Sequence, residues 1–342
     1  MSLSKCLSIC LTTSPIHRIF RFSLLSGFLM FLFAGQPVLA QNTMTNATSA
    51  SILHLNVADL DRSLELYRDL LGMEYVDPPA EPRSGRGLVD NERAMLQTTI
   101  LKTPNDAFRL ELVEWTNTPL RAMHPMIQDP GQIMLAMTVR DLDAMLARAK
   151  EMGLQILTEN DAPYDAPTNR AVMIRDADGF IIELVDRKGQ AFEGPGNVSD
   201  VSIYLTVADL NQTVSFYNQV FGMNMDEPAP AGPANDRIQA LFGDRSIATM
   251  RATRGTFPGT DMVFNFQEFT GPTRRPVSHQ VQDPGGPIML IGVNDFDQAV
   301  ENIVSHGGLI GTDQKSAMLA PGTRSSWTRD PNGLLIRLSQ EQ

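Results

Sequence analysis

His54, Asn56, Arg109, Glu111, Thr138 and Glu183 stand at alternating positions of short, strand-like segments. In Ile52–Val57 the alternation puts Leu53, Leu55 and Val57 on one face and Ile52, His54 and Asn56 on the other. By the same rule Arg109, Glu111 and Val113 share a face, as do Met134, Ala136 and Thr138, and Ile181, Glu183 and Val185. One histidine and two carboxylates support two kinds of chemistry. They can hold a divalent cation that keeps vacant positions for substrate oxygens. Without a cation, two carboxylates held close raise one pKa and create a general acid, with His54 and Arg109 neutralising the rest. Glu111, Glu183 and His54 are therefore the candidate catalytic residues, and the metal ligands if a divergent metal site exists. Asn56, Arg109 and Thr138 are the candidate substrate-binding residues. The sequence holds no P-loop, Gly-rich dinucleotide fingerprint or nucleophile elbow, so no nucleotide cofactor is expected.

The elements that carry these residues recur. VADLDRSLELYRDLLGM from Val57 returns as VADLNQTVSFYNQVFGM from Val207. QDPGQIML from Gln128 returns as QDPGGPIML from Gln282, and DADGFIIELV from Asp176 returns as DPNGLLIRLS from Asp330. The offsets of 150, 154 and 154 place a four-residue insertion early in the second copy. A repeat this long is a duplicated domain rather than a solenoid. A weaker repeat inside each copy sets Val139-Arg140-Asp141-Leu142 and Val293-Asn294-Asp295-Phe296 beside the two VADL motifs. Asp59 and Asp209 are placed to cap helices, Leu60, Leu64, Tyr67 and Leu71 fall at helical spacing, and Gly72 and Gly222 stop the helices. The quarter unit reads strand–helix–strand–strand–strand, four times over. The expected division is a leader over 1–40, a flexible segment over 41–50, a first module over 51–187, a Gly-rich linker over 188–197 and a degenerate second module over 198–342. Asp77–Gly87 and Asp226–Pro233 are expected as surface loops that could cover the modules.

The leader explains the charge asymmetry. Residues 1–40 carry Lys5, Arg18 and Arg21 and no acidic residue, then a short apolar run (Ser23–Gly35) and Val38-Leu39-Ala40 before Gln41. This is the plan of a cleaved signal peptide, and the run is short for a membrane span. Export to a periplasm or the medium is the expectation, with no membrane contact after cleavage. Beyond residue 40 the chain holds 25 basic and 39 acidic residues, which makes nucleic acid a poor partner. Cys6 and Cys10 both lie in the leader, so thiol catalysis, disulfides and Cys-ligated zinc are excluded from the mature chain. A small-molecule ligand is the expected partner, in a monomer or a homodimer.

VADLDRSLELYRDLLGM, RLELVEW and DADGFIIEL together resemble the vicinal oxygen chelate superfamily of glyoxalases, bleomycin-resistance proteins and extradiol dioxygenases, over residues 51–340 or so. The resemblance implies an α+β fold of four βαβββ units in two fused modules, with concave mixed sheets and helices outside. Module one would then point its six polar residues into one cavity. The resemblance also implies a divalent metal held on strands one, four, five and eight. Glu111 and Glu183 match two of those positions, whereas Ile52 and Met134 occupy the others and His54 lies two residues deeper. Module two offers Ser202, Asn265, Ile288 and Arg337, and an arginine repels a cation. If units swap between modules, Arg337 would stand beside Glu111 as an ion pair. Three function classes stay open: a lyase, isomerase or dioxygenase-like enzyme, a sequestering protein of the bleomycin-resistance type, and an interaction module with vestigial cups. His124 and His279 are expected as solvent-facing loop residues, with lids as the alternative. Asp129-Pro130-Gly131 is expected as a turn. Tyr204, which replaces His54 in the second copy, is expected as packing or as a pocket wall, and Trp115 and Phe269 as core.

Overall fold

A computed structural model describes residues 47–50, 52–260, 262–311 and 323–341 of the 342-residue chain. The expected leader lies outside the described residues. The four quarters follow the expected order. The first holds β1 (Ala47–Ser49), β2 (Ile52–Val57), α1 (Leu60–Leu64), which continues as a π-helical turn over Glu65–Leu70, β3 (Glu74–Asp77), β4 (Arg83–Ser84), β5 (Met95–Lys102) and β6 (Arg109–Thr116). The second holds β7 (Ile133–Val139), α2 (Leu142–Glu151), β8 (Gln155–Ile156), β9 (Tyr164–Asp165), β10 (Asn169–Arg175) and β11 (Ile181–Arg187). The third holds β12 (Val198–Thr206), α3 (Leu210–Phe221), β13 (Gly232–Pro233), α4 (Asp236–Leu241), β14 (Thr249–Thr256) and β15 (Val263–Thr270). The fourth holds β16 (Pro287–Val293), α5 (Phe296–Ser305), β17 (Leu309–Ile310), β18 (Thr323–Arg329) and β19 (Leu335–Glu341). Ala47–Ser49, expected within a flexible segment, is a strand paired with β16.

The aspartates of the four V-x-D motifs do what their chemistry favours. Asp59, Asp141, Asp209 and Asp295 each accept a backbone N–H of the first helical turn, at 2.8–3.1 Å, and so satisfy donors with no partner inside the helix. Gly222 ends α3 at φ 68°, a left-handed conformation that costs glycine least.

The sheets are not built within the sequence halves. The first runs β17-β18-β19-β16-β2-β6-β5-β3, with β1 on β16 and β4 on β5. The second runs β13-β14-β15-β12-β7-β11-β10-β8, with β9 on β10. Quarter one therefore pairs with quarter four through antiparallel β2–β16 (Ile288 opposite His54), and quarter two with quarter three through antiparallel β7–β12 (Met134 opposite Tyr204). The expectation that His54, Asn56, Arg109, Glu111, Thr138 and Glu183 face one cavity is corrected here. β2 and β6 belong to the first sheet, whereas β7 and β11 belong to the second, so Thr138 and Glu183 are separated from the other four.

Contacts within each half are made away from the cups. The Tyr67 hydroxyl donates to Asp176 Oδ2 at 2.9 Å, and Tyr217 donates to Asp330 Oδ2 at 3.1 Å. Asp176 also accepts the N–H groups of Asp178 and Phe180, and Asp330 those of Asn332 and Leu334, so each carboxylate closes its own turn. Burial, with the neighbouring Asp178, pushes the Asp176 carboxyl up to about 6. The repeated Asp-Pro-Gly turns bind across the halves. Asp129 accepts the N–H of Arg275 at 2.8 Å and Asp283 that of Arg121 at 3.0 Å. Gly131 and Gly285 take φ near 80°, and a Cβ on Gly285 would lie 2.1 Å from the Asp178 carbonyl. One large core holds Leu53, Leu55, Leu135, Met137, Ile203, Leu205, Met289 and Ile291 together with the buried helix faces. Smaller apolar clusters line the other face of each sheet.

Candidate functional site

The concave face of the first sheet carries Val113, Trp115, Ile288, Trp327 and Leu335, covered by Leu88, Val89 and Ala94. Its polar centre is a closed network. Trp115 Nε1, which can only donate, bonds Asn56 Oδ1 at 3.0 Å, and Asn56 Nδ2 donates to the Gly286 carbonyl at 3.2 Å. Asn56 Oδ1 is thus the acceptor for His54 Nε2, also 3.0 Å away. His54 Nδ1 lies 3.1 Å from Glu111 Oε2. Burial pushes the Glu111 carboxyl up, but the His54 hydrogen bond and charge, with Arg337 and Arg83, outweigh it and bring it down to about 2. Glu111 is therefore ionised, and both ring nitrogens of His54 are engaged, Nε2 with Asn56 and Nδ1 with Glu111. Arg337 acts on Glu111 as a nearby charge, as the swapped arrangement implies, but the direct ion pair belongs to His54. Arg109, expected to neutralise this carboxylate, is turned to Asp106 at the surface instead.

The second cup is chemically different. A cavity of about 470 Å³ is lined by Thr138, Asn169, Glu183, Val185, Ser202, Tyr204 and Arg237, among others. Glu183 on β11 is 7% exposed and has no hydrogen-bond partner among the described residues. Burial pushes its carboxyl up to about 7, against the opposing charge of Arg237. Burial, with the Glu183 charge, also raises the Tyr204 hydroxyl, so that it stays a donor. Arg237 comes from α4, which has no helical counterpart in the first half, and its buried Nε has no partner. Phe242, just after α4, packs edge-on to Phe269 at 5.5 Å within an apolar cluster of the second sheet.

The cups divide the expected site. His54, Asn56 and Glu111 come together in the first, and Thr138 and Glu183 in the second. Each cup thus holds one of the two fourth-strand glutamates. At the matching position across the sheet stands Arg337 in the first cup and Asn265 in the second. Sequence reading did not select Arg237, because an arginine in a polar loop carries no pattern. Tyr204, expected as packing or as a pocket wall, lines the cavity. His279, expected in solvent, is fully buried: Nε2 donates to the Pro287 carbonyl at 2.9 Å, and burial with the nearby Arg329 lowers it to about 3. His124 is exposed.

The donor set does not fit the family's metal. The proposed trio of His54, Glu111 and Glu183 is split between two sheets, and both ring nitrogens of His54 are taken by Asn56 and Glu111. Arg337 stands where a fourth ligand would be. Among the described residues no three His, Cys, Asp or Glu side chains converge to hold an ion.

Two concave sheets, each assembled from paired βαβββ units and opening on its own cup, define the class. Residues 49–184 and 201–338 each match the Glyoxalase/Bleomycin resistance protein/Dioxygenase superfamily, and the chain belongs to it. Among solved structures it is similar to glyoxalase I from Zea mays, at 18% identity and TM-score 0.56, over 85% of this chain and 92% of that one. It is also similar to a candidate dioxygenase from Bacillus subtilis, at 13% identity and TM-score 0.52, over 86% of each chain. These likenesses show the fold. A search of curated proteins finds no match.

Proposed function

We propose that the chain is an exported small-molecule enzyme of the isomerase type, working by proton transfer in the second cup without a metal. The observation that supports this reading most is Glu183: a buried carboxyl with no internal hydrogen bond, open to a cavity, and titrating close to neutral pH. A general base is most effective when its pKa lies near the working pH. As a carboxylate, Glu183 takes the proton from a carbon next to a substrate carbonyl. The electron pair moves onto the carbonyl oxygen, to which the Tyr204 hydroxyl donates. The proton held on Glu183 then returns to the same carbon, or, where that carbon bears a hydroxyl that passes its proton to the enolate oxygen and becomes the new carbonyl, to the former carbonyl carbon, so no oxidant or further reactant is needed. Export rests on the basic, apolar and small-residue order of residues 1–40, and a mature N-terminus at Gln41 is its check.

Proton exchange in D2O tests the chemistry. Pyruvate, 2-oxobutyrate and hydroxyacetone are incubated with the protein, and loss of the C–H signal is followed by NMR. Exchange of at least one probe should fall about 100-fold or more in Glu183→Gln. Equal exchange by the variant contradicts the proposal.

One observation favours a second reading, sequestration, for the first cup. His54, Asn56, Glu111 and Trp115 satisfy one another there and leave aromatic walls with no free acid or base.

A further inference from the structure

We infer that the second cup takes a substrate carrying an oxyanion, a carboxylate or a phosphate-type group, which is held by Arg237. The inference rests on the second cup being the substrate site, as proposed above, and adds the class of ligand. Three cations line the cavity, and two are already neutralised at the rim. Arg187 lies 3.7 Å from Asp200, and Lys188 pairs with Asp165. Arg237 has no carboxylate within ion-pair distance among the described residues. It lies close enough to Glu183 to act on it through space, yet the two make no direct bridge.

A guanidinium whose Nε is buried and unbonded is costly unless something completes it. A planar fork of N–H donors is best completed by two oxygens of one anion. On β10 the Asn169 Oδ1 is buried and likewise unpartnered. It is an acceptor, suited to a hydroxyl or amide donor elsewhere on the same ligand. Glu183 and Tyr204 line the same cavity, so an anion seated on Arg237 holds the rest of the molecule in the cup with the proton-transfer pair. In the first half the matching stretch forms β4 and a loop instead of a helix, and its Arg83 acts on a Glu111 that already pairs with His54.

The test uses three probes of one shape: benzoate, phenylphosphonate and neutral benzamide. Affinity is measured by calorimetry for the unmodified protein, Arg237→Gln and Arg237→Lys. Trp115 and Trp327 are the only tryptophans and both lie in the first cup, so their fluorescence reports which cup is filled. The expected result is binding of at least one anion, the tighter of the two naming the preferred group. Benzamide and Arg237→Gln should each lose at least tenfold in affinity, Arg237→Lys should be intermediate, and tryptophan emission should not change. Thermal unfolding checks each variant, and if the glutamine variant unfolds, the lysine variant carries the comparison. The inference is overturned if neither anion binds, if benzamide binds as tightly, if tryptophan emission is quenched, or if a folded Arg237 variant binds unchanged. Unchanged binding by Arg237→Gln beside proton exchange lost in Glu183→Gln removes the anion site alone. Binding through Arg237 beside unaltered exchange removes the proton-transfer reading alone.

Discussion

Glu111 and Glu183 are the same residue type at equivalent strand positions, and their surroundings drive them in opposite directions. Glu111 faces His54, Arg337 and Arg83 and holds its charge in the folded protein. Glu183 faces one unbridged arginine and a cavity, so burial dominates and its carboxyl rises to about 7. The sign for Glu111 follows from linkage. Its folded pKa is about 2, below the ordinary 4.5, so its stabilisation is complete above pH 4.5 and is lost as pH falls towards 2. Glu111→Gln should therefore destabilise the protein by about 2–3 kcal/mol at pH 7. That gap should shrink to about half or less at pH 3 in urea unfolding curves. A gap that is the same at both pH values would show that His54 and Glu111 are not charge-coupled.

At the scale of elements, the two tyrosines on the first and third helices bind the buried aspartate turns of their own halves. Removing either hydroxyl leaves a buried carboxylate short of one donor, which costs about 1–3 kcal/mol. Tyr67→Phe and Tyr217→Phe should each lower the unfolding midpoint by a comparable amount, because the contacts are repeated at 2.9 and 3.1 Å. A neutral result for both would mean that water satisfies Asp176 and Asp330. Much at this scale was legible in the sequence. The capping aspartates, the helix-ending glycines and the alternating faces follow from local rules that tertiary structure did not override. The π-helical turn over Glu65–Leu70 was not legible, since its residues keep ordinary helical spacing. The burial of His279 was not legible either, because the carbonyl that receives its proton belongs to a strand edge that forms only in the assembled sheet.

At the scale of the molecule, the cups join quarter one to four and quarter two to three. Sequence repeats show which segments are alike but not which are neighbours, so the swap left no local signal. Its one visible trace was Arg337, whose charge suits a position near Glu111 and no position near a cation. Because each sheet draws strands from both halves, neither half carries a complete sheet. Residues 47–187 expressed alone should be unfolded or should form a dimer whose quarters pair between copies. Adding residues 198–342 should restore the native circular dichroism and unfolding midpoint. A folded monomer of either half, judged by sedimentation and circular dichroism, would contradict the cross-paired sheets. Of the cations lining the second cup, Arg187 and Lys188 pair at the rim, and Arg237 has no carboxylate within ion-pair distance among the described residues.

The proposed chemistry depends on Glu183 being a carboxyl that exchanges protons near neutral pH inside the second cup. A carbon-13 NMR titration of the glutamate side-chain carboxyls, run beside Glu183→Gln to assign the signal, measures this directly. The predicted result is one glutamate resonance with a midpoint near 7, absent from the variant. If every glutamate carboxyl titrates below about pH 5.5, near the ordinary range, or if the near-neutral signal persists in the variant, the second cup lacks the acid–base group on which the proposed chemistry depends.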